Sequence, residues 1–146
     1  MKLLKNAIWF DMDGTIANLY AVNRWLPKLL ASDPTPYAEA APLLNMQALA
    51  RVLNRLRRKG YKIGVVSWLS RDGSAEYGEA VAAAKKAWLK KHLASVDFDY
   101  IDIIEWGDPK ENGRDGILFD DEKANRDNWG GVAYDVDNII EVLKRL

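Results

Sequence analysis

The stretch Ala7-Ile8-Trp9-Phe10-Asp11-Met12-Asp13-Gly14-Thr15 constrains the chain more than any other. An apolar run stops abruptly in two carboxylates spaced two apart, then a glycine and a hydroxyl. The apolar part reads as a short strand buried on both faces, as in a parallel sheet. Strands of that kind present functional groups just beyond their C-terminal ends, where α/β folds bind ligands. Asp11 and Asp13 then share one small space, and two carboxylates there raise each other's pKa unless a cation lies between them. Gly14 lets the backbone turn sharply. Two acids and a tight turn at a strand end point to a hard cation with oxygen ligands, most simply Mg²⁺.

The rest of the chain supplies a frame for such a strand. At 146 residues and 49% hydrophobic it is sized for one domain with its own core. Lysine plus arginine equals aspartate plus glutamate, so bulk charge gives no pull toward nucleic acid or membrane. The absence of cysteine removes disulfides, thiolate metal sites and cysteine nucleophiles, and is in keeping with a cytoplasmic protein. Met1–Lys5 is too short for a signal peptide, and no apolar run approaches the length of a membrane span.

Periodicity predicts helices and strands in alternation. An amphipathic helix is expected over 17–31, broken or kinked by Pro27, then a loop over 32–36. A second helix, 46–59, carries Leu49, Val52, Leu53 and Leu56 on one face and ends at Gly60; its Arg51, Arg55, Arg57, Arg58 and Lys59 read as a solvated face. A strand over 61–67 leads through a polar loop to a long helix, 75–92. Val81, Ala84, Trp88 and Leu89 point inward on it, while Lys85, Lys86, Lys90 and Lys91 read as its solvated face. Strands over 98–104, 116–119 and 131–134 follow, with a short helix over 123–129 and a closing helix over 136–146, capped by Asp135 or Asp137. The expected fold is α/β: a Rossmann-like three-layer α/β/α domain over 1–146, with a central parallel sheet of about five strands.

Parallel strands bring their C-terminal ends to one edge. That edge collects Asp11 and Asp13, Ser67, Lys110, then Asp120 and Asp121, in sequence order. Four acids, a hydroxyl and an ammonium suit phosphoryl transfer: acids hold Mg²⁺, lysine and hydroxyl bind phosphate oxygens, and one carboxylate remains to attack phosphorus.

On these residues the sequence resembles the haloacid dehalogenase superfamily of aspartate-nucleophile phosphatases. Asp11-Met12-Asp13-Gly14-Thr15 matches the family's first motif, Ser67 its second, Lys110 its third and Asp120-Asp121 its fourth. The spacing of Lys110 and Asp120, together with Ile117-Leu118-Phe119-Asp120-Asp121, is similar to the 5′(3′)-deoxyribonucleotidase branch. The resemblance implies a Mg²⁺-dependent phosphomonoester hydrolase acting through an aspartyl-phosphate. Asp11 would be the nucleophile and Asp13 the general acid and base. Ser67 and Lys110 would clamp phosphate, aided by Gly14, Thr15 and Trp68. Asp11, Asp13 (through its backbone carbonyl), Asp120 and Asp121 would surround the metal, with Asp121 as an outer or lysine-orienting acid.

In this family the insert after the first motif selects the substrate. Here it is a minimal helical cap over 16–45, small enough to leave the site open to a large substrate or to cover by a partner subunit. Asn18, Tyr20, Asn23, Arg24 and Trp25 on the insert, and Trp68 beside Ser67, are the residues placed to touch a substrate; a small phosphorylated compound, a nucleotide among them, is the expected partner. Trp25, Trp88, Trp106 and Trp129 read as packing residues, and His92 as an ordinary helix-end residue. Two other readings remain: a non-catalytic phospho-ligand module that keeps the pocket, and a phosphatase of a macromolecule such as a nucleic-acid 3′-phosphate end. A receiver domain uses the same residue types, but with the hydroxyl between the phosphorylated aspartate and the lysine and both acids first.

Overall fold

The computed structural model describes residues 6–146; the expectation for Met1–Lys5 lies outside them. The chain runs β1 (Ala7–Phe10), β2 (Ala17–Asn18), a 3-10 turn (Leu19–Ala21), α1 (Trp25–Leu30), α2 (Thr35–Glu39), β3 (Ala41–Pro42), α3 (Met46–Arg58), β4 (Lys62–Trp68) and α4 (Ala75–His92). It continues with β5 (Tyr100–Ile104), β6 (Ile117–Phe119), α5 (Lys123–Asn128), β7 (Val132–Tyr134) and α6 (Ile139–Lys144). β1, β4, β5, β6 and β7 form one parallel sheet in the order β5-β4-β1-β6-β7, and β2 pairs with β3 as a small antiparallel ribbon. This is the expected Rossmann-like α/β architecture with flanking helices.

The strand order fixes the layers. The chain leaves β1 stepwise to β4 and β5, then returns past β1 to β6 and β7. Right-handed crossovers therefore put α3 and α4 on one face and the return on the other. The packing agrees: Ile8 and Phe10 of β1 share a core with Leu53 and Leu56 of α3, Trp88 and Leu89 of α4, and Ile139 and Leu143 of α6. Phe10 stacks on Phe119, and Phe119 on Tyr134, across three strands of that face. The opposite face has only α5 and a loop above it, and tryptophans fill the space. Trp9 stacks on Tyr100 with ring centroids 5.1 Å apart and donates its indole N–H to Asp115 O at 3.0 Å. Trp129 donates to Gly116 O at 3.0 Å.

β1 pairs with β4 so that Trp9 lies beside Gly64. A Cβ on Gly64 would come within 2.6 Å of the Trp9 ring, so the glycine is the space the indole occupies.

Four expectations are corrected. The segment 17–31 is not one helix: Ala17 is held by Pro42 in the β2–β3 ribbon and its carbonyl accepts from the Gly14 amide at 2.9 Å, so helix begins only at Trp25, after Arg24 in the left-handed region (φ 59°). Pro27 then falls in the first turn of α1, where its missing N–H costs nothing. The segment 32–36 does not stay a loop: α2 starts at Thr35, with Pro36 in its first turn and the Thr35 amide donating to Asp33 Oδ1 at 2.9 Å. The last helix starts three residues later than expected, at Ile139 after Asn138, and neither Asp135, which accepts from its neighbour Val136, nor Asp137 caps it. Arg55 and Arg57 are half-buried, reaching Leu143 O at 3.3 Å and Asp99 at 3.5 Å.

Residues 16–45 dock along α4. Leu19 and Tyr37 pack with Tyr77 and Val81, and Tyr77 Oη donates to Asp33 O at 3.0 Å. Trp88 Nε1 donates to Ala40 O at 2.7 Å, and Tyr37 Oη bonds with Ser70 Oγ.

Gly64→Ala is expected to destabilise the fold by about 1–3 kcal/mol through overpacking against Trp9; chemical denaturation checks it, and a Trp9→Phe background should recover part of the loss.

Candidate active site

Register delivers the acids to one place. Phe10 pairs with Phe119, so the residues that follow, Asp11 and Asp120, are neighbours, and the Asp11 amide donates to Phe119 O at 2.9 Å. Phe10 also pairs with Val65, which sets Ser67 two residues further along the same edge. Lys110 arrives from the loop between β5 and β6. The structure thus brings Asp11, Asp13, Ser67, Lys110, Asp120 and Asp121 to the C-terminal edge of the sheet.

Lys110 is buried, with 2% of its surface exposed. Its Nζ donates to Asp11 Oδ1 at 2.9 Å and to Asp120 Oδ2 at 2.8 Å. Burial pulls the ammonium pKa down, but Asp11 and Asp120 outweigh it and the net shift is upward. Asp120 is fully buried. Its Oδ1 accepts from the Glu122 amide at 2.9 Å, and its Oδ2 also accepts from Asn125 Nδ2 at 3.1 Å. Arg126 donates to the Asp120 carbonyl at 2.9 Å, tying α5 back to the end of β6.

A second lysine is present that the sequence reading assigned to the solvated face. Lys85 of α4 is completely buried. Its Nζ donates to Asp13 Oδ2 at 2.9 Å, Ser67 Oγ at 2.7 Å and Trp68 O at 2.6 Å. The signal was in the pattern: Lys85 continues the stripe Tyr77–Val81 and precedes Leu89 by four, so it occupies a core position of the helix. Lys86, Lys90 and Lys91 are exposed as expected.

The first-motif turn is self-contained. The Gly14 amide donates to Ala17 O at 2.9 Å and the Thr15 amide to Met12 O at 3.0 Å. Thr15 Oγ1 donates to Asp11 Oδ2 at 2.9 Å and faces Asp121 Oδ1 at 3.2 Å, while accepting from the Asp121 amide. Gly14 and Thr15 therefore shape the site instead of offering free donors to phosphate, which corrects that expectation. Gly14 is required on two counts: its φ is +80°, and a side chain there would run into the Asp121 carboxylate. The amides of Met12 and Asp13 take no part in these turn bonds.

Asp11, Asp120 and Asp121 each place one carboxylate oxygen within 4.8 Å of the others. A hard cation fits three such oxygens. The Asp13 carboxylate is not among them, because Lys85 holds it; its backbone carbonyl accepts none of the turn's hydrogen bonds and is available to a cation. Asp120, not Asp121, orients the lysine, which corrects the role expected of Asp121. Four carboxylates against two ammoniums leave an excess of two negative charges, the deficit one divalent cation removes. Burial first, and repulsion among the acids second, raise the carboxyl pKa values. Burial, then Asp11, pushes Asp120 up to about 6. Burial, then hydrogen bonding and repulsion from Asp11, pushes Asp121 up to about 8. Asp13 is also raised, by burial against the opposing pull of Lys85.

A cleft of about 540 Å³ opens onto Asp11, Asp13 and Lys110. Tyr20 and Trp25 line it, Trp25 also packing against the cluster of Leu19 and Tyr37; Asn18, Asn23 and Arg24 do not line it. Leu26 and Leu30 of α1, both exposed, form its outer wall. Trp68 lines it with its indole N–H committed to Asp108 O at 2.9 Å and its ring 5.0 Å from Lys110 Nζ, so the side chain contributes a face and not a donor. Trp106 is corrected from packing to cleft: it is 48% exposed, lies 5.6 Å from Trp68 and carries Arg71 over its ring. Trp88 and Trp129 are buried, and His92 closes α4 against Trp88.

A scan against protein-family models gives no match, and neither does a comparison with curated proteins. Among solved structures the chain is similar to the D,D-heptose 1,7-bisphosphate phosphatase from Burkholderia thailandensis, with a TM-score of 0.50 and 12% identity over 95% of this chain and 96% of that one. The likeness establishes a shared fold along the whole length. Among the described residues no helix is long and apolar enough to cross a membrane.

Mg²⁺ is expected to raise the melting temperature by an amount that grows with pH. Acids raised in the folded state carry protons below about 6 and about 8, which a cation must displace; their ionised forms cost stability above those values, and the cation recovers it. Thermal melts with and without Mg²⁺ from pH 5 to pH 9 check the trend, which should flatten at the alkaline end.

Proposed function

We propose that the chain is a Mg²⁺-dependent phosphomonoester hydrolase that works through an aspartyl-phosphate on Asp11. The observation that carries this reading is the division of the two strand-end acids between two buried lysines: Lys110 holds Asp11 with Asp120, and Lys85 holds Asp13 with Ser67. Two carboxylates two residues apart are thereby given different environments, as a nucleophile and a proton carrier need. The fold shared with a bisphosphate phosphatase supports the same reaction class.

In this reading Asp11 attacks phosphorus as the bond to the ester oxygen breaks. Asp13, its pKa raised by burial, gives that oxygen a proton and the alcohol leaves neutral. Asp13 then takes a proton from water; the water oxygen bonds to phosphorus, the Asp11–phosphorus bond breaks, and inorganic phosphate departs. Lys110, the Ser67 hydroxyl and the amides of Met12 and Asp13 hold the phosphate oxygens. A divalent cation held by Asp11, Asp120, Asp121 and the Asp13 carbonyl would supply charge neutralisation for the transferring group.

Residues 16–45 serve as a small lid on the single domain. A cleft of about 540 Å³ walled by Tyr20, Trp25, Trp68 and Trp106 is sized for a small phosphorylated compound with a flat group, and nucleoside monophosphates are the class we place first. A chain without cysteine is in keeping with work in the cytoplasm.

A panel of nucleoside monophosphates, sugar phosphates and 3′-phosphorylated DNA ends, assayed with Mg²⁺ and with chelator, tests the reading. Turnover should require the metal, fall to background in Asp11→Asn, and drop roughly 10- to 1000-fold in Ser67→Ala, the range for one lost charge-stabilising donor. Phosphate and Mg²⁺ binding with no turnover of any ester would instead mark a non-catalytic phospho-ligand module. Turnover confined to DNA ends would mark a macromolecular substrate.

A further inference from the structure

We propose that Lys85 is a positioning residue that aims both the proton donor and the phosphate-binding hydroxyl, without touching substrate itself; the proposal rests on the phosphatase reading above. An ammonium has three protons, and all three are committed: to Asp13 Oδ2 at 2.9 Å, Ser67 Oγ at 2.7 Å and Trp68 O at 2.6 Å. The group is fully buried and lies 5.0 Å from the ring centre of Tyr37, which closes its remaining side. Nothing is left to give a phosphate oxygen.

Each bond has a directional consequence. Ser67 Oγ accepts from Lys85, so its own proton is turned away from the lysine and free for an oxygen in the cleft. Asp13 Oδ2 is tied to Lys85, so Oδ1 is the oxygen that carries the proton. In the transfer that proton moves from Asp13 Oδ1 to the ester oxygen as the phosphorus–oxygen bond breaks and the Asp11–phosphorus bond forms. The third bond, to the carbonyl at the end of β4, fixes the ammonium to the sheet, so both groups are aimed from a rigid element. Lys110 differs: two of its protons go to Asp11 and Asp120 and the third is uncommitted, so it is the lysine that meets phosphate.

A lost proton donor hurts only when the leaving group needs a proton. Lys85→Met should therefore lower kcat/KM for phenethyl phosphate on the order of 100-fold or more, within the range of general acid catalysis. For para-nitrophenyl phosphate, whose phenolate leaves unprotonated, only the aim of the Ser67 hydroxyl is lost, and kcat/KM should fall at least about tenfold less than for the alkyl ester. kcat/KM covers only steps through departure of the first product, so later hydrolysis of the intermediate does not blur the comparison. If the methionine variant does not fold, Lys85→Arg serves: it keeps a charge but cannot satisfy three acceptors from one nitrogen, and the same leaving-group-selective loss is expected. Equal losses on the two esters, in whichever variant folds, would overturn the role of Lys85 while leaving the phosphatase reading intact. Turnover of neither ester by the unsubstituted protein, with the wider substrate panel also inert, would overturn both.

Discussion

Four carboxylates in one pocket repel, and the two buried ammoniums that divide them are the interaction on which the site depends. Each lysine pairs one strand-end acid with a second partner on a different element. Lys110 joins β1 to the loop after β6, and Lys85 joins β1 to β4. Removing Lys110 would leave the buried Asp11 and Asp120 without their counter-charge, a change typically worth several kcal/mol, and removing Lys85 would leave the half-buried Asp13 without its own. The residual negative charge is left on the side of Asp11, Asp120 and Asp121, where three oxygens already converge. Charge balance thus links the fold, the metal preference and the proposed division of labour between Asp11 and Asp13.

The sheet provides the rigidity this network needs. Asp11 and Asp120 are adjacent because Phe10 and Phe119 pair with their rings stacked, while on the other face Trp9 nested over Gly64 fits β1 against β4. Above this edge, residues 16–45 rest along α4, the helix that also carries Lys85. This segment and the buried lysine therefore share a support.

Strand-end chemistry was legible in the sequence because a short apolar run followed by polar residues has few other meanings. Asp11, Asp13, Ser67, Asp120 and Asp121 stand just at or beyond the strand ends that pattern marks, and Lys110 joins them from the loop between β5 and β6. Lys85 is not legible by composition: in a helix rich in alanine and lysine a charge reads as exposed, although its place in the stripe Tyr77–Val81–Lys85–Leu89 marks a core position. The insert failed for a different reason. Its leucines are spaced as for a buried helix face, yet Leu26 and Leu30 border a cleft and are exposed. The roles of Gly14 and Thr15 were misread because a turn that satisfies its own amides looks, in sequence, like one that offers them.

The central claim is that Asp11 becomes covalently phosphorylated. Acid-quenching the protein during steady turnover with Mg²⁺, followed by peptide mass spectrometry under conditions that preserve acyl phosphates, tests it directly. One added phosphoryl group is expected on the peptide containing Asp11, discharged when substrate is exhausted. Sustained turnover with an unmodified Asp11, or with the phosphoryl group on another residue, would contradict it.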